Sequence, residues 1–244
     1  MAAGALPTVD LFIRAYHRDR AWLALALRAI RVHLRGHRRV VVVLPSASAG
    51  RMGDLAEQAG IDVAVHYCEN WADDYLGQQV TKLHADHYTD ADVIVHIDAD
   101  QLFLAPCDVA QLFDGARVRV DYRATGGRPP GDGWGSCAAD FFGQPLSWDL
   151  TVPPPLALPR HVYVALRAQC EQRHGVSMPA YALQRGADRF CEFALLRAQA
   201  LLFAPDCCSW QEQHPLPQCH TFWSRRETPA SIAARLPPSL QCAP

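Results

Sequence analysis

Between Val9 and Ile97, short apolar runs alternate with segments of helical spacing, and this alternation restricts the fold more than any other feature. Val9–Ala15 reads as a strand. Behind Asp19, a plausible helix start, Trp22, Leu25, Ala26, Ala29, Ile30 and His33 recur at helical intervals. Val40–Leu44 is continuously apolar, the pattern of a strand buried on both faces, and Pro45 ends it. Met52 to Ala59 reads as a helix closed by Gly60, and Ile61–Tyr67 as a third strand. Tyr75–Tyr88 follows as a helix with Leu76, Val80 and Leu83 on its apolar side, and Asp92–Ile97 as a fourth strand. Repeated strand–helix units of this kind build a parallel sheet with crossover helices.

The texture changes after Asp114-Gly115. Val118–Tyr122 reads as a short strand, Thr125–Gly135 as a glycine-rich loop and Val152–Pro159 as an extended connection. His161–His174 and Asp188–Phe203 read as helices, Trp210–Trp223 as irregular and Ser231–Leu236 as a terminal helical turn. The expectation is one α/β domain with a mixed, mainly parallel sheet: a first half, 9–115, and an α-rich C-terminal portion, 116–244.

Half of the 244 residues are hydrophobic, enough for a sizeable core, and the formal charge of -2 gives no general attraction to nucleic acid or membranes. Met1–Pro7 lacks the charged start and long apolar stretch of a secretory signal, and no apolar run is long enough to span a bilayer. Nine cysteines occur without a Cys-x-x-Cys pair, which favours free thiols in a reducing cytoplasm over a zinc site.

The fourth strand ends in Asp98-Ala99-Asp100. A strand points residues i and i+2 to the same side, so the two carboxylates are expected to converge where the strand gives out. Two acids held together repel unless a proton or cation lies between them, and oxygen ligands suit Mg2+ or Mn2+. Open α/β sheets bind ligands at the same place. A solvated strand end is the plainer reading of that spacing. Upstream, Gln78 and Lys82 are four apart on one helix face, with Gln79 three before Lys82. Downstream, Glu192 stands among Phe190, Cys191 and Phe193, where burial would raise its pKa and suit it to act as a base. A salt bridge to Arg189 or Arg197 is the alternative, and Asp188 and Asp140 are rival acids. The loop Gly126–Gly135, with Trp134, is a candidate lid.

Four stretches together resemble the GT-A class of nucleotide-sugar-dependent glycosyltransferases: Phe12-Ile13-Arg14-Ala15-Tyr16-His17-Arg18-Asp19, Gln78-Gln79-Val80-Thr81-Lys82-Leu83, Ile97-Asp98-Ala99-Asp100 with Leu102-Phe103 and Pro106, and the late His220–Trp223. In particular they resemble a bacterial GT-A-like family that joins a Gln-Gln-x-x-Lys-Leu helix to a strand ending in Asp-x-Asp. The likeness covers roughly Val9–Phe113. It implies a metal-dependent transferase that moves a sugar from a UDP- or GDP-sugar to a carbohydrate or glycoconjugate acceptor, as in polysaccharide assembly. It also implies that Asp98 and Asp100, with Ala99 between them, hold Mn2+ or Mg2+ at the donor's diphosphate, with His220 as a third ligand. Lys82, with Gln78 and Gln79, would lie near the phosphates, and Arg14, Tyr16 and Asp19 near the nucleoside. Glu192 or Asp188 would act on the acceptor.

Each assignment has a structural counterpart: a helix end for Lys82, a core edge for Tyr16, an N-cap for Asp19 and a packed imidazole for His220. The Gly and Lys-Pro-Trp pattern that follows the late histidine of glycogenin-like enzymes is missing. Two other classes share features of the chain. A haloacid-dehalogenase-type phosphohydrolase places Asp-x-Asp after its first strand with Thr or Val fifth in the motif, where Leu102 stands here. A non-catalytic nucleotide- or sugar-binding module is the other.

Overall fold

A computed structural model of the chain describes residues 7–53, 55, 60–125 and 133–241. In chain order the principal elements are β1 (Val9–Arg14), α1 (Arg20–His33), β2 (Arg39–Pro45), β3 (Val63–Cys68), α2 (Asp74–Lys82), β4 (Val93–His96), β5 (Gln101–Phe103) and β6 (Arg117–Asp121). There follow α3 (Cys137–Phe142), β7 (Leu156–Pro159), α4 (Arg160–His174), α5 (Met178–Arg185), α6 (Glu192–Phe203), β8 (Cys208–Gln211) and β9 (Cys219–Thr221). The expected helix over 52–59 falls largely outside the described residues.

The central sheet has five strands in the order β7-β4-β1-β2-β3. β4, β1, β2 and β3 are parallel, and β7 joins β4 antiparallel. Position in the sheet explains the sequence patterns. β1 is buried throughout and β2 from Val40 onward because both are covered on two faces. β3 lies at the edge, so its burial alternates and Val65 and Tyr67 are exposed. The chain lays down β1, β2 and β3 outward, then returns to the other side of β1 for β4. That reversal makes a switch point between β1 and β4, the place where such sheets bind ligands. The register pairs Phe12 with His96, so the two strands deliver Arg14 and Asp98 to the same crevice.

The second half supplies β7 and a helical layer. α6 is buried over nearly its whole circumference, from Glu192 to Ala200, and packs on α3, α4 and β7. Its one buried guanidinium, Arg197, pairs with Asp121 at 2.8 Å and donates to the Val152 carbonyl at 2.7 Å. These bonds fasten α6 to the end of β6 and to the segment leading into β7.

Two helix limits differ from expectation. α2 ends at Lys82, and Ala85–His87 form a separate 3-10 turn. Arg167 of α4 explains the break: it donates to the Leu83 carbonyl at 2.7 Å and grips Asp86 with both nitrogens at 2.6 Å. The carbonyl that another helical turn would use is thereby taken. The helix expected from Asp188 starts only at Glu192, because Gly186 holds a positive φ of 76° and the chain turns between α5 and α6. Neither α5 nor the short α3 was apparent from sequence spacing.

Asp121→Ala leaves the Arg197 charge buried and unanswered, so it is expected to cost about 3–5 kcal/mol. Urea unfolding should show a lower midpoint with an unchanged slope. A loss below about 1 kcal/mol would mean that the guanidinium finds other compensation.

Candidate active site

The Asp98–Asp100 pair lies just beyond β4, not within it. The chain turns there, with the Gln101 N–H donating to the Asp98 carbonyl at 3.0 Å. The strand alternation expected to align the two side chains therefore does not apply, and they meet different partners. Asp98 faces Lys82. Asp100 accepts the Ser224 N–H at 2.8 Å, and its carbonyl accepts that of Phe222 at 2.9 Å. Gln101 fixes the turn: its Oε1 accepts the Asp98 N–H at 2.9 Å and its Nε2 donates to Thr221 Oγ1 at 3.0 Å and to the Pro154 carbonyl. Neither Gln101 nor Ser224 stood out in the sequence, since single polar residues outside a motif carry no signal.

Lys82 is the centre of the site. Its Nζ lies 2.8 Å from Asp98 Oδ1 and 3.0 Å from Glu192 Oε1, with the Phe193 ring centroid 4.6 Å away. Its side chain is 3% exposed. Burial by itself would lower its pKa, but the Asp98 and Glu192 charges and hydrogen bonds prevail and hold it above the ordinary lysine range. Lys82 is thus neither a solvated helix end nor a freely mobile charge. Glu192 is buried as its apolar neighbours implied, but its partner is Lys82; Arg189 is exposed and Arg197 is engaged by Asp121. Gln79, also buried, donates to the Phe190 carbonyl at 2.6 Å, so two residues of α2 hold the start of α6. Gln78 is half-buried on the same helix.

Around this centre β1 and α2 contribute a second layer. Arg14 is buried and gives both terminal nitrogens to Asp74. Its guanidinium is therefore already bound within the protein. Asp19 precedes α1 but its carboxylate turns back to accept the Tyr16 N–H at 3.2 Å. Burial, with the Asp100 and Asp74 charges, pushes Asp19 up to about 6 against the pull of the Tyr16 N–H and Arg14. Tyr16 is half-buried, its ring edge-on to His17, and Ala99 is buried in the turn. At the mouth the Tyr75 ring stacks with Trp134, centroids 6.0 Å apart, and the Arg225 guanidinium lies 5.0 Å from the Tyr75 centroid. Burial and the Glu192 charge push the Tyr75 hydroxyl up to about 12, with Lys82, Arg225 and Asp98 also acting on it. Tyr75 and Arg225 are additions from the tertiary structure. Residues 126–132 of the expected lid lie outside the described residues.

Two expected site residues stand apart. His220 is exposed on β9 opposite Leu102, and that segment reaches the turn through Thr221 and Phe222, not through the imidazole. Asp188 is exposed on the turn before α6, next to Ala187, whose carbonyl accepts the Trp134 indole N–H at 2.7 Å. Asp140 is paired with Arg185.

Among the described residues no three His, Cys, Asp or Glu side chains gather into a metal cage. The donor set nevertheless suits a hard divalent ion. Asp98 and Asp100 are half-buried carboxylates, and neither Asp98 Oδ2 nor Asp100 Oδ1 meets a protein donor among the described residues. An ion held by one or two carboxylates completes its shell with water and substrate phosphate. The acids of the crevice also outnumber Lys82 and Arg14, so the site favours a cation.

Lys82→Met leaves two carboxylates without their cation and is expected to destabilise by about 3–5 kcal/mol, while Lys82→Met/Glu192→Leu recovers part of that loss. Urea unfolding of the single and double variants checks this; a double variant no better than the single would show that the charges do not act together. Asp19 makes a pH-dependent contribution. Its carboxyl keeps its proton to about pH 6 when folded, against 3.8 for an ordinary aspartate. Its contribution to stability is whole below the lower value and is lost as pH rises through the higher. Asp19→Asn should therefore match the wild-type melting temperature near pH 3.8 and exceed it above pH 6.5 by an amount that grows across that interval.

The galactosyltransferase LgtC, solved with donor and acceptor sugar analogues, aligns with 82% of this chain and 72% of its own at a TM-score of 0.52 and 14% identity. Glucosyl-3-phosphoglycerate synthase from Mycobacterium tuberculosis, solved with Mn2+, UDP and glucosyl-3-phosphoglycerate, aligns with 86% of this chain and 71% of its own at a TM-score of 0.48 and 16% identity. No protein-family model matches the sequence, and no curated protein matches it. At such identities the LgtC likeness speaks to architecture, and the mainly parallel sheet with its flanking helices is the GT-A glycosyltransferase fold.

Proposed function

We propose that the protein is a metal-dependent glycosyltransferase that moves a sugar from a nucleotide-sugar, UDP- or GDP-linked, to a carbohydrate or glycoconjugate acceptor. The observation that carries this reading is the Asp98-Ala99-Asp100 turn at the β1–β4 switch point of a GT-A fold, with Lys82 buried behind it. In this reading residues 9–115 bind the donor and 116–244 shape the acceptor side. A divalent cation, Mn2+ or Mg2+, held by Asp98 and Asp100 supplies Lewis-acid stabilisation to the departing nucleoside diphosphate.

The chain's own residues do the positioning. Gln101 sets the turn, and the Ser224 N–H takes one Asp100 oxygen, leaving the other for the ion. Lys82 holds Asp98 and balances Glu192, so the pocket keeps charged groups without water between them. Tyr16 and the end of β1 border the nucleoside side. Glu192 serves here as a positioning residue through Lys82, and Asp188 at the rim is the more accessible acid for an acceptor hydroxyl. A cytoplasmic setting fits, since every described cysteine is free and no described helix is long and apolar enough to cross a membrane. The pair follows the fourth sheet strand of this fold, unlike the first-strand Asp-x-Asp of haloacid-dehalogenase-type phosphohydrolases.

Calorimetric titration with UDP and GDP, with and without Mn2+, tests the assignment. Wild type should bind one of them in a Mn2+-dependent way, and Asp98→Asn or Asp100→Asn should each weaken that binding about tenfold or more. Wild-type affinity in both variants would remove the turn from the donor site. Binding without transfer or slow hydrolysis of any nucleotide-sugar would make the protein a binding module.

A further inference from the structure

Building on the glycosyltransferase reading, we propose that the acceptor is an anionic sugar, bearing a carboxylate or phosphate, whose charge is taken by Arg225 beside the Tyr75–Trp134 aromatic pair. Three observations meet here. First, Arg225 is exposed, and among the described residues it has no acidic partner, whereas Arg14, the other guanidinium of the crevice, is bound to Asp74. Its place is set by the Tyr75 ring 5.0 Å below it and by the neighbouring Ser224 N–H, bonded to Asp100 at 2.8 Å. A guanidinium held over a ring keeps its N–H edge available for a planar anion, which it can grip with two nitrogens.

Second, the aromatic pair stands beside it. Trp134 is 40% exposed, and its indole N–H is tied to the Ala187 carbonyl, which fixes the ring. Tyr75 opens α2, the helix that ends in Lys82, so this platform and the carboxylate turn are borne on a common support. A fixed, partly exposed ring offers an apolar face to the C–H face of a sugar.

Third, the field of the crevice has the wrong sign for an unaided anion. Asp74, Asp98, Asp100 and Glu192 are all acidic, and the cation proposed at Asp98 and Asp100 is matched by the donor's own diphosphate. A neutral acceptor needs no counter-charge, but an anionic one does, and Arg225 is the cation placed at the mouth.

The test uses the full chain loaded with Mn2+ and UDP or GDP, titrated with glucuronate, glucose 6-phosphate and glucose and read by tryptophan fluorescence and calorimetry. A charged probe should bind about tenfold or more tightly than glucose. Arg225→Gln should erase that preference, and Arg225→Lys should restore part of it. The Arg225→Gln effect should be about tenfold larger on the charged probe than on the nucleotide. Equal binding of charged and neutral probes, or a preference that survives Arg225→Gln, overturns the proposal. So does an equal loss of nucleotide binding, which would assign Arg225 to the donor's diphosphate. Wild type that binds nucleotide with Mn2+ but shows no charge preference refutes the acceptor assignment alone; wild type that binds no nucleotide refutes the transferase reading and this inference with it.

Discussion

A lysine ammonium enclosed between two carboxylates organises this molecule. Lys82 ends α2, Asp98 follows β4 and Glu192 opens α6, so the ion cluster joins a crossover helix, the central sheet and the buried helix of the second half. A buried charge without partners is costly, and a buried charge with hydrogen-bonded partners restricts where each element can lie. The Gln79 bond to the Phe190 carbonyl works beside it with the same geometric effect. The lysine that holds Asp98 is therefore itself held from the second half of the chain, by Glu192.

The sheet order explains why the crevice is there at all. β2 and β3 are added to one side of β1 and β4 to the other, so the connections leave the carboxyl ends of β1 and β4 in opposite directions. The gap between them is floored by buried strand residues and rimmed by polar ones: Arg14, Asp19, Asp98 and Asp100. The late segment around β9 then closes over the turn, pairing with β5 and delivering Ser224 to Asp100. The site thus draws on early and late parts of the chain, and Arg225 belongs to the contribution of the late part.

Much of the fold was legible because it rests on local periodicity. The continuous apolar run at β2 required a two-sided strand, and the spacing of Trp22, Ala26, Ala29 and Ile30 required a helix with one buried face. The place of Asp98 and Asp100 at the end of an apolar run was legible, but the turn that gives the two acids different partners was not. The end of α2 was not legible, since it depends on Arg167, more than eighty positions away, reaching the Leu83 carbonyl. The partner of Glu192 was not legible either: nearby Arg189 and Arg197 were reasonable candidates, yet folding brings Lys82 to it.

The amino-acid order by itself determined the strand–helix alternation, the buried strands and the location of the paired acids, because all three follow from neighbours within a few residues. Only the tertiary structure decided which charges meet. It gave Lys82 to Asp98 and Glu192, bound Arg14 to Asp74, left His220 on an exposed strand and set Arg225 over Tyr75. The physical reason is that hydrophobic period is a local property of a chain, whereas electrostatic pairing depends on distances that exist only after the chain has closed on itself.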